Sequence, residues 1–335
     1  MTDGPGFSYV LPLRWEDGSH RDEMTRYLRW LATECSDVIV VDGSPMSVFA
    51  ANALAWQTSA THVAPDPAFA CLMGKGAGVE TGIRRAREDK IVLADDDVRY
   101  ARAPLQRVVT LLAEYDLISP QNFFEPLPWH ARWDTARTLI NRALGGDYSG
   151  TLGLRRSTMI AMGGYDRDVM FDNLELIRTV QVHGGRTFTP LDLYVRRLPP
   201  TASHFWGQRT RQAYDDFAFP VRMLCWLLVM PSLVAAAKRT QLSPVFTGAV
   251  GSMLLAERGR RRAGGTQVFP VSSSFLAPVW IAERGICAWL AVLQRAQFGG
   301  VRYRGSVIPK AAHSKRALRR ELDTRIKGQV EPSVS

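Results

Sequence analysis

Three consecutive carboxylates, Asp95, Asp96 and Asp97, follow the wholly apolar run Ile91–Ala94. On an extended strand successive side chains alternate between faces, so Asp95 and Asp97 point one way and Asp96 the other. Two carboxylates on one side repel unless a cation lies between them. Their hard oxygens suit Mg²⁺ or Mn²⁺, with the remaining ligands drawn from substrate phosphates and water. The plainer reading is a solvated acidic turn, which the preceding apolar strand argues against.

The elements that would carry this triplet read as a βαβ alternation. Tyr9–Leu13 and Asp37–Asp42 are apolar runs with strand character, and Met24, Tyr27, Leu28 and Leu31 between them give a helix one apolar face. Gly43, Ser44 and Pro45 punctuate the chain, Thr61–Ala64 is a third short run, and Lys90–Ala94 is the fourth. Helices are expected over 103–115 and 131–144, and again after Asp172, where Leu174, Ile177 and Val180 recur every three residues. Short strands alternating with helices predict an α/β fold with a mostly parallel sheet, the triplet at its carboxyl edge.

Composition sets the outer bounds. Of 335 residues 46% are apolar and 22% charged, which excludes disorder, collagen and coiled coil as the main architecture. Cys35, Cys71, Cys225 and Cys287 lie far apart with no C-x-x-C pair, against a disulfide scaffold or a cysteine zinc site. With no secretory signal in the first residues, a reducing compartment is expected for the N-terminal part. The net charge of +10 is concentrated late: residues 238–327 hold 17 of the 42 Lys and Arg but only 4 of the 32 Asp and Glu.

The same region carries apolar stretches. Residues 217–237 contain Arg222 as their only charge, long enough to cross a hydrocarbon layer as a helix. Residues 243–256 and 268–282 are uncharged but shorter, and Glu283-Arg284 interrupts the last before Gly285–Gln294 resumes it, a texture of interfacial or re-entrant helices. Basic clusters at Lys238-Arg239, Arg258–Arg262 and Lys315–Arg320 flank these segments, which points to an anionic membrane surface and places the catalytic part on the cytoplasmic side of the cell membrane. Nucleic acid is excluded as partner, because the tail over 310–327 has no aromatic residues to stack on bases. Buried helices of a soluble second domain are the alternative.

Taken together, the pieces resemble a GT-A-fold glycosyltransferase of the family 2 and family 21 type, the group that includes ceramide glucosyltransferases and many bacterial membrane-bound enzymes. The resemblance runs over about residues 8–215. It is carried by Tyr9–Leu13, Val40–Ser44, Gly74-Lys75-Gly76, Asp95–Asp97, Gly163–Asp166, Phe171–Leu176 and Gln208-x-x-Arg211, in that order, and Gly299–Gly305 resembles the segment after the last apolar helix of membrane-attached members.

The resemblance implies roles. Asp42 would contact the base or ribose of a nucleotide, where the plain alternative is a turn residue. Lys75 and its glycine neighbours would lie near the pyrophosphate, although the pattern is not a P-loop; a flexible helix-start loop is the alternative. Asp95 would face the donor ribose or metal-bound water, and Asp97 would bind a metal bridging both phosphates. The general base falls on Asp172, or on Glu175 one turn later, because Asn173 stands where the family carries the second carboxylate and a carboxamide is no base. Asp172 also fits an N-cap.

Gln208 and Arg211 would close over the donor, with Gln212 in place of the family's Trp. His204, Trp206 and Tyr214 would flank that pocket or form an interfacial aromatic cluster. Asp147–Gly150 would touch donor sugar and acceptor, or make a glycine turn, and Arg155-Arg156 reads as solvated charge.

The sequence thus predicts a GT-A catalytic domain over 1–215, an apolar and basic membrane-associated helical region over 216–305 and a basic tail over 306–335. The expected activity is inverting, metal-dependent transfer of a sugar from a nucleotide-diphosphate sugar to a lipid or polyprenyl-type hydroxyl, as a hexosyltransferase using Mn²⁺ or Mg²⁺. The alternatives are a non-catalytic membrane adaptor with a degenerate transferase domain, motivated by Asn173 and Gln212, and a nucleotidyltransferase, for which Arg14–Gly18 is a poor glycine-rich segment.

Overall fold

The computed structural model describes residues 6–303 and 305–330. Its strands are β1 (Ser8–Leu13), β2 (Asp37–Asp42), β3 (Thr61–Val63), β4 (Lys90–Ala94), β5 (Val98–Arg99), β6 (Leu117–Ile118), β7 (Gln121–Phe124), β8 (Thr151–Arg155), β9 (Thr187–Phe188), β10 (Tyr194–Arg197), β11 (Val301–Tyr303) and β12 (Ser306–Ile308). Its α-helices are α1 (Arg21–Glu34), α2 (Met46–Trp56), α3 (Gly74–Arg85), α4 (Arg102–Leu111), α5 (Trp129–Leu144), α6 (Arg156–Ala161), α7 (Asp172–Val182), α8 (Ala202–Tyr214), α9 (Pro220–Lys238), α10 (Leu242–Arg261), α11 (Val271–Phe275), α12 (Ala277–Phe298) and α13 (Lys315–Val330).

The fold is mixed α/β around a seven-stranded sheet in the order β3-β2-β1-β4-β8-β6-β9, in which only β8 runs antiparallel to its neighbours. Strands β1 and β2 are buried along their whole length, which is why both read as unbroken apolar runs. Alternation divides their side chains between two layers. Tyr9, Leu11, Val38 and Val40 pack on Met24, Leu28 and Leu31 of α1 and Leu105 and Val108 of α4. Val10, Ile39, Ile91 and Leu93 pack on Val79 and Ile83 of α3 and Leu176 and Val180 of α7. A methyl group at Gly82 would lie 2.3 Å from Val10 Cγ1, and one at Gly78 3.0 Å from Pro12 Cβ, so these glycines let α3 lie directly on the sheet.

A second sheet, β5-β10-β7, stands beside the first. It receives the chain as it leaves the acidic triplet, with Arg197 opposite Val98 on one side and Phe124 on the other. The triplet is a turn rather than the end of β4: the strand stops at Ala94, and the Val98 N–H donates to the Asp95 carbonyl at 3.1 Å.

The C-terminal region is helical and folds back on the sheet domain. Gly259 of α10 approaches α5 so closely that a Cβ there would lie 1.8 Å from the Leu139 carbonyl oxygen. Arg142 of α5, fully buried, donates to the carbonyls of Leu191 (2.9 Å) and Arg262 (2.8 Å) and to the Tyr194 hydroxyl (2.8 Å). Apolar clusters join the two parts, one uniting Leu139 and Ile140 with Ala256, Phe269 and Trp280.

Among the described residues α9 is the one helix long and apolar enough to cross a membrane, with a mean hydropathy of 1.7 over a window of which 6% is buried. Glu283-Arg284 does not interrupt the last apolar stretch as expected. Helix α12 runs through it, because Glu283 is neutralised by Arg209 of α8 at 2.5 Å and Arg284 lies 3.5 Å from Asp216.

Candidate active site

A cleft of about 1500 Å³ opens at the carboxyl edge of β1, β2 and β4 and is closed on its far side by α8, α9 and α12. The acidic turn lies on its sheet side. Main-chain bonds pin the turn at both ends: the Asp95 N–H donates to the Gly150 carbonyl at 2.8 Å and the Leu198 N–H to the Asp97 carbonyl at 2.7 Å. Asp96 faces away from its neighbours and accepts from Trp15 Nε1 at 2.6 Å. Asp95 and Asp97 share a side, where Arg197 meets both: Nε lies 2.8 Å from Asp97 Oδ2, and a terminal nitrogen 3.5 Å from Asp95 Oδ2.

On the other flank, Lys75 Nζ lies 2.8 Å from Asp95 Oδ1 and 3.0 Å from Asp172 Oδ2. The starts of α3 and α7, the turn after β4 and the end of β10 thus deliver Lys75, Asp172, Asp95, Asp97 and Arg197 to one ion-paired cluster. Burial opposes charge on Lys75, but Asp172 and Asp95 together raise its ammonium above the ordinary lysine value. Asp95 is held below the carboxylate range because Lys75 and Arg197 outweigh its desolvation. Asp97 goes the other way: burial, with Asp95 and Asp96 beside it, pushes it up to about 6 against the pull of Arg197.

Asp97 Oδ1 is buried with no hydrogen-bond partner. A same-side carboxylate pair with one orphaned oxygen fits a hard divalent cation. Among the described residues no group of three or more His, Cys, Asp or Glu is placed to hold a metal, so such an ion would complete its shell from substrate oxygens and water.

The remaining predicted residues divide. Gln208 and Arg211 of α8 line the cleft with His204, to which Gln208 is hydrogen-bonded. Arg211 faces the Tyr303 ring at 5.4 Å and its charge helps hold Asp95 low. Asp42 lies behind the wall made by Val41 and Gly43. Its carboxylate takes the Ser44 N–H (2.8 Å), Asn52 Nδ2 (2.9 Å) and His62 Nε2 (3.0 Å), bonds that outweigh burial and keep its pKa low.

Glu175 does not reach the cleft: it is fully buried and binds the His313 N–H at 2.7 Å and ring Nδ1 at 2.8 Å. Asp147 is likewise turned inward, to Thr138 Oγ1 at 2.7 Å and Asn141 Nδ2 at 2.8 Å, while Tyr148, Ser149 and Gly150 line the cleft. Tyr214 is buried with its hydroxyl donating to the Pro309 carbonyl at 2.7 Å, and Trp206 joins Trp129, Trp133 and Phe205 in a partly exposed aromatic group.

Several substitutions relative to the expected pattern acquire reasons here. Asn173 donates its Nδ2 to the Ser149 carbonyl at 2.8 Å, which an ionised carboxylate cannot do. Gln212 Oε1 accepts from Arg209 at 2.9 Å, and Arg209 also binds Asp134 at 2.9 Å and Glu283 at 2.5 Å, so this buried guanidinium ties α5, α8 and α12 together. Asp172 opens α7 with no side-chain capping bond and turns instead to Lys75. Arg155 and Arg156 are not idle surface charge: they donate to the carbonyls of Leu112 (2.8 Å) and Ile83 (3.1 Å), near the C-terminal ends of α4 and α3, where a cation is favoured.

Sequence reasoning missed Arg197 and Asp215. Arg197 follows a short β-branched and aromatic run, and its position before Leu198-Pro199 at a strand end was the available signal. Asp215, on the helical side of the cleft, has an Oδ1 with no partner. Desolvation, with Asp216 adjacent, pushes it up to about 7 against the pull of Arg211, Arg284 and Arg222.

No protein-family sequence model matches this chain, and neither does any curated protein sequence. Among solved structures it is similar to the mannosyltransferase PcManGT from Pyrobaculum calidifontis in complex with GDP-Man and Mn²⁺, at 17% identity over 98% of this chain and 82% of that one, with a TM-score of 0.47. It is also similar to glucosyl-3-phosphoglycerate synthase from Mycobacterium tuberculosis in complex with Mn²⁺, uridine diphosphate and glucosyl-3-phosphoglycerate, at 16% identity over 63% of this chain and 78% of that one, with a TM-score of 0.41.

Proposed function

We propose that the chain is an inverting, metal-dependent glycosyltransferase of the GT-A, family 2 type that moves a hexose from a nucleotide-diphosphate sugar to a hydroxyl presented at a membrane. The observation that carries this reading is the cluster itself: Asp95 and Asp97 share a side, Asp97 Oδ1 lacks a partner, and Lys75 links Asp95 to Asp172 in one large cleft. A Mn²⁺ or Mg²⁺ ion held by Asp95 and Asp97 would supply charge stabilisation to the departing diphosphate.

The chain's own residues do the rest. Lys75, Arg197, Gln208 and Arg211 line the cleft around the acidic turn and offer donors to diphosphate oxygens. Asp172, oriented by Lys75, takes the proton of the acceptor hydroxyl as that oxygen attacks the anomeric carbon from the face opposite the diphosphate. Asn173 fixes the Ser149 carbonyl, and so the Tyr148–Gly150 segment of the cleft wall. Asp42 serves the nucleoside end indirectly, by shaping the turn at Gly43.

The acceptor we assign is a lipid or polyprenyl-type alcohol at the cytoplasmic face of the cell membrane. Leu224, Leu228 and Val234 of α9, Leu242 and Phe246 of α10 and Ile286, Trp289 and Leu293 of α12 are exposed, and Lys238-Arg239 sits at the end of α9. Apolar faces with flanking cations fit a membrane interface, and α9 and α12 also wall the cleft through Trp226 and Trp280.

Calorimetry with nucleotide sugars and Mn²⁺ tests the assignment. The wild type binds one donor only with the metal present, and Asp97→Asn loses that metal dependence while keeping its fold; unchanged affinity in Asp97→Asn removes the metal site.

A further inference from the structure

We infer that Arg197 is a resident counter-cation of the Asp95–Asp97 pair that is displaced when the donor's diphosphate takes its guanidinium, so that metal ion and nucleotide enter the site as a coupled pair. The inference rests on the donor and metal reading above.

Arg197 holds both carboxylates of the pair, at 2.8 Å to Asp97 and 3.5 Å to Asp95. Its guanidinium therefore occupies one oxygen of each carboxylate, Oδ2 of Asp97 and of Asp95, and leaves Asp97 Oδ1 without a partner. The opposite wall is cut back to make room: a Cβ on Gly150 would lie 3.1 Å from the Arg197 Cζ and 2.8 Å from Asp95 Oδ2.

The backbone of Arg197 is not free to retreat. Strand β10 pairs it with Val98 and Phe124, its carbonyl accepts the Glu125 N–H at 3.1 Å, and the next residue's N–H holds the Asp97 carbonyl at 2.7 Å. Only the side chain can leave, and it lines the cleft with 28% of its surface exposed.

A divalent ion between Asp95 and Asp97 would meet a like charge on Arg197 where it now lies, at a separation where repulsion is costly in a desolvated site. A planar guanidinium binds phosphate oxygens with the same fork geometry it uses for carboxylates. The diphosphate thus offers Arg197 an equivalent partner at the moment the carboxylates are needed elsewhere. A metal ion arriving alone offers it none. By linkage, nucleotide then raises metal affinity through Arg197 by the same factor that metal raises nucleotide affinity.

The test is a Mn²⁺ titration of the full detergent-purified chain, alone and with UDP or GDP, in wild type, Arg197→Gln, Arg197→Lys and Asp97→Asn. Arg197→Gln should bind Mn²⁺ without nucleotide roughly tenfold or more tighter than wild type, and should gain much less from added nucleoside diphosphate. Arg197→Lys keeps the charge, and should bind Mn²⁺ alone much closer to wild type than to Arg197→Gln. If Arg197→Lys binds as tightly as Arg197→Gln, charge is not what excludes the metal and the inference fails. If wild type and Arg197→Gln bind Mn²⁺ equally without nucleotide, and Asp97→Asn does not, the metal site stands and the role of Arg197 is refuted. If neither wild type nor Arg197→Gln binds Mn²⁺ under any condition, the metal reading fails and the inference with it.

Discussion

The two walls of the cleft are built by different means. On the sheet side, Asp95, Asp97 and Arg197 project from backbone held by strand pairing and turn bonds, and with Lys75 and Asp172 they form a closed ion-paired set. On the helical side, Arg211, Arg222 and Arg284 surround Asp215 and Asp216, with Arg222 2.6 Å and Arg284 3.5 Å from Asp216, on helices α8, α9 and α12 that are joined by apolar packing. Side chains carried on main chain fixed by strand pairing are held more precisely than side chains placed by packing between helices. Under the proposed function, the contrast assigns the chemistry to the sheet wall and entry of the second substrate to the helical wall.

Removing the base tests that division most severely. Asp172→Asn should cut turnover by about 10² to 10⁴-fold with donor affinity little changed, as measured by steady-state kinetics beside calorimetry. An equal loss of donor binding would make Asp172 part of the binding wall instead. The seam between the walls comes next: Arg209→Met leaves Asp134 and Glu283 without their buried partner and should cost about 3–5 kcal/mol in denaturant unfolding.

A smaller effect is expected at the contact of α10 with α5. Gly259→Ala forces the two helices apart and should cost about 1–3 kcal/mol, with donor affinity retained because the sheet wall is untouched. A pH-dependent effect concerns Asp215, whose carboxyl is pushed by burial up to about 7 from the ordinary aspartate value of 3.8. Between those values the folded state holds a proton the unfolded chain has released, so stability falls as pH rises through this window, by at most about 1.4 kcal/mol per pH unit. Asp215→Asn should flatten that part of the profile of thermal stability against pH.

The legibility of the molecule follows the same contrast. Strands β1, β2 and β4 were readable because a strand buried on both faces must be apolar throughout, and the alternation of Asp95, Asp96 and Asp97 was right in direction although they form a turn. Beyond its strand-end position, the role of Arg197 was not readable, since its partner Asp97 lies 100 positions away and the pairing of β10 with β5 brings them together. Glu283-Arg284 looked like a break in an apolar helix because Arg209, 74 positions earlier, is what permits Glu283 to be buried. Glu175 and Asp147 carried plausible spacing, and their burial against His313 and Thr138 is a tertiary fact that local pattern does not encode.

The central claim is sugar transfer driven from the acidic turn. Its most direct test is release of nucleoside diphosphate by the purified chain, supplied with a panel of nucleotide sugars, Mn²⁺ or Mg²⁺ and lipid extract, with Asp97→Ala as control. Release from one donor, abolished by chelation and by Asp97→Ala, is the predicted result. Silence with every donor, or release that Asp97→Ala leaves intact, contradicts the account.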